Sequence, residues 1–309
     1  MRILVSRSCS QRADACRLLQ EAGHELVFQG TEDLAGHKLL GEVEAVFLGV
    51  YTKVNGGFLP KAVRLKHIIT ASAGTDHIDL QACKARGISV HSAGDANSAS
   101  VASHAIGLML AVVRKTVQAD KLLREGKWDR DRFMSFDLEG KTLGIVGFGN
   151  IGKEVAKQAS GFGMRVVVYD PYVHESEVKK CELVYGVKSE CVETLGQLLG
   201  KADIVTIHVP LLDSTRGLVG EKEIALMKDK AVLINTSRGE IVDEKALVKA
   251  LREGKLHGAG LDVFQEEPKV SKGLLELENV VLTPHIGAMT EESFRKMGVQ
   301  AVEGFLRAS

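Results

Sequence analysis

Short apolar runs and helix-patterned stretches alternate along almost the whole chain. That alternation constrains the fold more than any other feature. The apolar runs fall at 2–6, 25–28, 45–48, 68–70 and 89–91 in a first block, then at 143–146, 165–169, 204–208, 231–235, 258–262 and 280–282 in a second. Helical patterns lie between them, at 12–22, 79–86, 151–160, 221–227 and 244–252. Strands separated by helices make βαβ units, and consecutive βαβ units make parallel sheets covered by helices. The 309 residues exceed what one simple core holds, so two such sheets of similar size are expected. The stretch 97–116 is rich in Ala, Ser, Leu and Val and reads as one long helix joining the blocks. Asn97 or Ser98 can cap it, and it closes near Thr116. A last helix, running from after Thr290 to about Leu306, is expected to fold back onto the first block.

Within the second block, Gly147-Phe148-Gly149-Asn150-Ile151-Gly152 fits the G-x-G-x-x-G pattern. The motif follows an apolar run and opens a helical one, which is the context a dinucleotide cradle requires. Gly147 permits the tight turn, Gly149 lets a pyrophosphate approach the backbone, and Gly152 lets helix and strand pack closely. Free N–H groups at the helix start, around Asn150 and Ile151, attract phosphate. Asp170 ends the next strand, in the acidic position expected roughly 20 residues further on. Its carboxylate can accept from an adenosine ribose and repels a 2′-phosphate, so NAD is favoured over NADP. Val209 and Pro210 follow another strand and should line the adenine-ribose side, with His208 contributing through its backbone. Asp262 ends a further strand, where it can face the nicotinamide or cap a helix.

Three ionisable residues occupy short settings just beyond the last three apolar runs: Arg238 in Asn-Thr-Ser-Arg-Gly, Glu267 in Glu-Glu-Pro, and His285 in Thr-Pro-His-Ile-Gly. In an open α/β sheet, ligands bind outside the carboxyl ends of the strands. Delivered to that edge, a guanidinium, a carboxylate and an imidazole form one site. Hydride transfer from NADH to a 2-keto acid leaves a carbonyl oxygen that needs a proton. A protonated His285 can give it and act as base in reverse. Glu267 beside it would favour the imidazolium. Arg238 can grip the substrate with a planar fork of donors.

These segments, taken in order over essentially the whole length, make the chain resemble the D-isomer-specific 2-hydroxyacid dehydrogenases. The matching stretches are the glycine loop with Asp170, Asn235 to Gly239 with Val242-Asp243, Gly260 through Pro268, and Thr283 to Gly287. The resemblance implies two Rossmann-like, doubly wound parallel-sheet α/β domains. Residues 97–288 would bind NAD, inserted into a substrate domain made of 1–96 and 289–309. It implies Arg238 as substrate anchor, His285 as acid/base and Glu267 as its partner. It further implies that Ser72, Ala73 and Gly74 present backbone N–H groups to the substrate carboxylate, with Tyr51 beside them. Thr236, Ser237, Arg238, His285, Gly287 and Ala288 would touch the cofactor, and the 97–116 helix region would form a homodimer. Two positions depart from the family pattern. Ser103 stands where relatives often carry glutamate, and the neighbouring His104 is expected to have a packing role. Gly49 stands about where phosphoglycerate-specific relatives present an arginine, which counts against a phosphorylated substrate such as D-3-phosphoglycerate even with Lys53 nearby. Glu267, where the resembling formate enzymes carry glutamine, disfavours formate oxidation. No regulatory extension is expected after Ser309.

Composition narrows the alternatives. With 40 basic and 40 acidic residues and no long basic run, a nucleic-acid partner has no electrostatic support. No apolar stretch reaches the roughly 18 residues that span a bilayer, and the first apolar run is too short for a signal peptide. The five cysteines, Cys9, Cys16, Cys83, Cys181 and Cys191, form no CxxC pair and no zinc-like cluster with histidine. Free thiols in a reducing cytoplasm, and no metal, are expected. The rival from another class is an NAD-sensing binding protein like the corepressors that share this fold. Those proteins use long disordered tails, which this sequence does not display.

Overall fold

The computed structural model describes residues 1–308. They form two compact units: Met1–Asn97 with the segment that begins at Ala288, and Ser98–Gly287.

The first unit is built on a five-stranded sheet of β1 (Arg2–Val5), β2 (Glu25–Phe28), β3 (Ala45–Leu48), β4 (His67–Thr70) and β5 (Ser89–His91), in the order β2-β1-β3-β4-β5. Every pairing is parallel. Both faces are covered, so the central strands are continuous apolar runs rather than alternating ones. Leu4, Val46, Leu48 and Ile68 pack to one side with Phe58 and Leu59. Ile3, Val5, Phe47 and Ile69 pack to the other, where Ala301, Val302 and Phe305 of the Glu291–Ala308 helix cover them. Burying a side chain such as that of Phe305 stabilises by roughly 1.5–3 kcal/mol.

The second unit carries seven parallel strands: β6 (Thr142–Val146), β7 (Arg165–Tyr169), β8 (Ser189–Cys191), β9 (Ile204–Ile207), β10 (Ala231–Asn235), β11 (Leu256–Leu261) and β12 (Val280–Leu282). Their order is β12-β11-β10-β9-β6-β7-β8. The chain therefore winds outward from β6 through β7 to β8, returns to β9 on the other side of β6, and winds out again to β12. The direction reverses between β6 and β9, and the crevice at such a reversal is where α/β sheets bind ligands.

The two sheets are unequal, against the expectation of similar blocks. The reason is visible in the first turn of the second unit: a helix at Glu175–Tyr185, the edge strand β8 and a helix at Leu195–Lys201 extend its sheet. The long helix is also shorter than 97–116. It runs Ser98–Arg114, breaks at Lys115, and a second helix, Thr116–Arg124, leaves at an angle of 61°. Lys115 adopts φ 52°, a left-handed conformation that cannot continue a right-handed helix. Val101, Ala105, Leu108, Met109 and Val112 are buried along the first helix, whereas no residue of the second is. The core therefore holds the first helix and does not reach the second. Among the described residues no single helix is long and apolar enough to cross a membrane.

Candidate active site

The glycine loop follows β6 and leads into the Asn150–Ser160 helix. Gly147 sits at φ +92°, and a Cβ there would lie 2.7 Å from the His208 carbonyl. The loops after β6 and β9 thus touch at the sheet's reversal point, and only glycine allows it. Gly149 is the opposite case: a Cβ there would meet no described atom within 4 Å. That open space lies at a helix start whose N-cap residue provides no side-chain cap. The free N–H groups of the first turn and the positive end of the helix dipole face it. Asp170 is tied at the end of β7, accepting from the Phe148 N–H at 2.8 Å and the Tyr172 N–H at 2.9 Å. These two bonds hold its carboxylate against the glycine loop.

Two buried polar atoms near this edge lack partners among the described residues. One is Thr236 Oγ1, just beyond β10, in a residue that is 7% exposed. The other is His208 Nδ1. The His208 ring reaches Thr206 Oγ1 through Nε2 at 2.8 Å, and burial pushes its pKa down to about 3, so it is neutral. An orphaned hydroxyl, a cradle with room for a backbone-hugging phosphate and an anchored carboxylate together fit a dinucleotide. After β9, Val209 is half-buried and Pro210 exposed.

Arg238, Glu267 and His285 follow β10, β11 and β12, which are neighbours in the sheet. Asn235 shapes the first loop: its Oδ1 accepts from Ser237 N–H and Oγ, and its Nδ2 donates to the Arg238 carbonyl. The Arg238 guanidinium in turn donates to the Ser237 carbonyl at 2.7 Å. Gly239 is pressed against the second loop, so that a Cβ would collide with the Phe264 carbonyl and lie 2.5 Å from Gln265 N. The loops bearing Arg238 and Glu267 are therefore locked together. The Glu267–Pro268 peptide is cis.

Glu267 Oε2 lies 2.8 Å from His285 Nδ1, and Oε1 accepts from the Phe264 N–H. Burial pushes the Glu267 pKa up. The His285 hydrogen bond and charge, the Phe264 N–H and the Arg238 charge outweigh it and hold the carboxyl below its ordinary range. An ionised Glu267 can only accept, so the His285 proton facing it sits on Nδ1 and Nε2 points elsewhere. His285 is nearly half exposed, with 46% of its side chain open. Its φ is 54°, a left-handed conformation costing a residue with a Cβ roughly 1–2 kcal/mol. Asp262 holds it there: the His285 N–H donates to the Asp262 carbonyl, and the Ile286 and Gly287 N–H groups donate to the Asp262 carboxylate, each at 2.8 Å. Sequence alone did not reveal this clamp. The sequence expectation for Asp262 is a cofactor contact or a helix cap; instead both its oxygens are taken by the protein.

In the first unit, Ser72 Oγ donates to the Gly74 carbonyl at 2.8 Å and lies 2.8 Å from Thr70 Oγ1, which turns Ser72, Ala73 and Gly74 tightly at the end of β4. Tyr51, 70% exposed, follows β3. Residues Gly287 and Ala288 stand at the division between the units. Among the described residues no group of His, Cys, Asp and Glu is arranged to hold a metal ion.

The reversal-point cradle, with its free helix start and anchored Asp170, defines a dinucleotide-binding α/β protein. Comparison with known proteins makes the class specific. Residues 106–287 match the model for the NAD-binding domain of the D-isomer specific 2-hydroxyacid dehydrogenases, and the chain belongs to that family. NAD is the cofactor of this domain. The chain is 42% identical over 269 residues to a hydroxypyruvate reductase of Thermotoga maritima, covering 86% of this chain and 85% of that one. It is 42% identical over 290 residues to a D-3-phosphoglycerate dehydrogenase of Methanocaldococcus jannaschii, covering 94% of this chain but spanning only 54% of that protein's length. The structure of a D-lactate dehydrogenase from Aquifex aeolicus, complexed with NAD and lactic acid, superposes with a TM-score of 0.86 at 31% identity, over 100% of this chain and 96% of that one.

Proposed function

We propose that the protein interconverts a small 2-keto acid and its D-2-hydroxy acid with NAD as the hydride carrier. One observation carries this reading. The Glu267–His285 pair, 2.8 Å apart, and Arg238 leave three adjacent strands of the sheet whose reversal point forms the dinucleotide cradle. Bound NADH supplies a hydride; the chain's own residues orient the acid and move the proton. With Nδ1–H held by Glu267, His285 offers Nε2 to the carbonyl oxygen. It donates a proton as that oxygen becomes a hydroxyl and takes one back in the oxidative direction. Arg238 holds the carboxylate or polarises the carbonyl through its fork of N–H groups. Backbone N–H groups of Ser72, Ala73 and Gly74 bind the substrate carboxylate, and Tyr51 borders the side-chain end. Around the pyrophosphate and ribose we assign Gly147, Gly149, Asn150, Ile151, Gly152, Asp170, His208, Val209, Pro210, Thr236 and Ser237, and towards the nicotinamide Gly287 and Ala288, with Asp262 behind them holding the loop. A homodimer formed through the 97–116 region, in the cytoplasm, completes the proposal; five free thiols agree with a reducing compartment.

An unphosphorylated substrate is favoured over D-3-phosphoglycerate by the first unit's own reversal point, between β1 and β3. A Cβ at Gly49 would come within 2.9 Å of Ser8 Oγ, and that hydroxyl donates to Glu32 at 2.7 Å. The edge there offers a carboxylate where a phosphate would need a guanidinium. The test is NADH oxidation with glyoxylate, hydroxypyruvate, pyruvate and 3-phosphohydroxypyruvate. Turnover of one or more of the first three, above the phosphorylated acid, is expected. No turnover of any by a protein that binds NADH would sink the proposal, and preference for the phosphorylated acid would sink its substrate.

A further inference from the structure

His104 lies in the Ser98–Arg114 helix, far in sequence from the loops after β11 and β12, yet it touches both. Its Nε2 is 3.0 Å from Thr283 Oγ1 and 3.2 Å from Asp262 Oδ1. Thr283 spends its hydroxyl proton on the same Asp262 oxygen, at 2.6 Å. Asp262 is 1% exposed. Its burial pushes the carboxyl pKa up, but hydrogen bonds from His104, Thr283 and the Ile286 and Gly287 N–H groups hold it below the ordinary range. An ionised carboxylate and a hydroxyl that has already donated both need a donor, so the proton of His104 sits on Nε2. The helix also packs directly on the end of the loop. A Cβ at Gly287 would meet Asp262 Oδ2 at 3.1 Å, His104 Cδ2 at 3.6 Å and Val101 Cγ2 at 3.7 Å.

Asp262 is the hub of this arrangement. One oxygen gathers His104, Thr283 and the Ile286 N–H, the other takes the Gly287 N–H, and its backbone carbonyl takes the His285 N–H. The left-handed backbone of His285 is thus fixed on one side by the Asp262 main-chain carbonyl and on the other by a carboxylate whose own orientation depends on His104. We propose that His104 is a positioning residue: by donating to Asp262 and Thr283 it holds His285 in register with Glu267. This inference rests on the acid/base role proposed for His285. The His104 Nε2 proton goes to Thr283 and Asp262, so His104 takes no part in proton transfer.

The experiment compares His104→Leu, which removes the donor while keeping bulk, with His104→Gln, which keeps an N–H donor. Turnover of the best 2-keto acid is measured across pH, together with NADH affinity by fluorescence. For His104→Leu we expect kcat to fall about 10- to 100-fold, the cost of misplacing a reacting group by up to an ångström. NADH affinity should be kept, and the alkaline limb of the pH profile should move to lower pH as the Glu267 contact loosens. His104→Gln should recover most of the rate and the limb. Should His104→Leu not fold, Thr283→Val, which deletes the hydroxyl bridge at nearly constant shape, is expected to shift the same limb. A pH profile that superposes on wild type, or equal impairment of the Leu and Gln variants, would overturn the inference. Wild-type protein inert towards every 2-keto acid would instead overturn the function on which it rests.

Discussion

Replacing Gly239 by alanine tests whether the Arg238 and Glu267 loops act as one rigid body. The substitution asks nothing of the backbone, because Gly239 is not in the left-handed region. Its effect is steric. The new methyl would fall on the Phe264 carbonyl and 2.5 Å from Gln265 N, against an ordinary contact limit of 3.4 Å. Backbone cannot swing aside as a flexible side chain does, so the two loops must part by roughly 1 Å, the scale of misplacement that costs about 10²-fold in rate. Overpacking of this kind destabilises by roughly 1–3 kcal/mol, which at about 2–4 °C per kcal/mol for a unit of this size lowers the melting temperature by several degrees. Steady-state kinetics with NADH and the best 2-keto acid, beside a thermal melt and an NADH titration, reads all three effects. The expected pattern is a large fall in kcat/KM, a modest fall in melting temperature and little change in NADH affinity. Wild-type kcat/KM in a variant that melts normally would refute the reasoning.

Gly149→Ala makes the opposite prediction. Its methyl meets no described atom, so the melting temperature should hold, while NADH binds at least several-fold more weakly because the methyl occupies the space assigned to pyrophosphate; unchanged NADH affinity would remove that assignment. Asp170→Ala should narrow the preference for NADH over NADPH, and an unaltered ratio of the two dissociation constants would show that Asp170 does not face the ribose. A pH-dependent melt should single out the three imidazoles around Phe305, whose rings lie 5.2–5.6 Å from it. Burial lowers the pKa of His24, His67 and His91. The amino terminus and His67 add to this at His24, Lys66 at His67 and His67 at His91, while Glu44 opposes it at His67 and a Gly304 backbone hydrogen bond at His91. A histidine whose folded pKa is depressed binds more protons when unfolded, so the stability it confers is present above the unfolded value of about 6.5 and is lost as pH falls below it. Melting temperature should therefore drop between neutrality and mild acid, and His67→Leu should flatten the drop; an identical slope in that variant would count against the cluster.

Much of this architecture was legible because burial on both faces leaves an unmistakable run. β7, β10 and β12 are such runs bounded by polar or helix-capping residues, and structure and sequence agree on their limits. The helix Glu244–Arg252 was equally readable, since Asp243 caps it and Leu247 and Leu251 mark its buried face. Elements that bury little were missed. The helix Glu175–Tyr185 buries only Val178 and Cys181 and so has no strong apolar period, and the Thr116–Arg124 helix buries nothing, its Val117 and Leu123 being exposed. Thr194 and Gln197 form a capping box before the Leu195–Lys201 helix, which is a local signal for that helix.

At the site, the short settings around Arg238, Glu267 and His285 were visible because each lies within a few residues of a strand end. The His104–Asp262–Thr283 network was not, because it joins a helix to two loops more than 150 residues away, and no local pattern encodes such a meeting. The same holds for Gly239: its glycine is obvious in the sequence, but the carbonyl that forbids a side chain belongs to Phe264.

The central claim is that His285, oriented by Glu267, transfers the proton that accompanies hydride transfer. It is tested most directly by measuring kcat and the NADH dissociation constant of His285→Ala side by side with wild type, using whichever 2-keto acid wild type turns over best. The account predicts a loss of about 10²–10⁴-fold in kcat with NADH binding preserved. Retained turnover would contradict it.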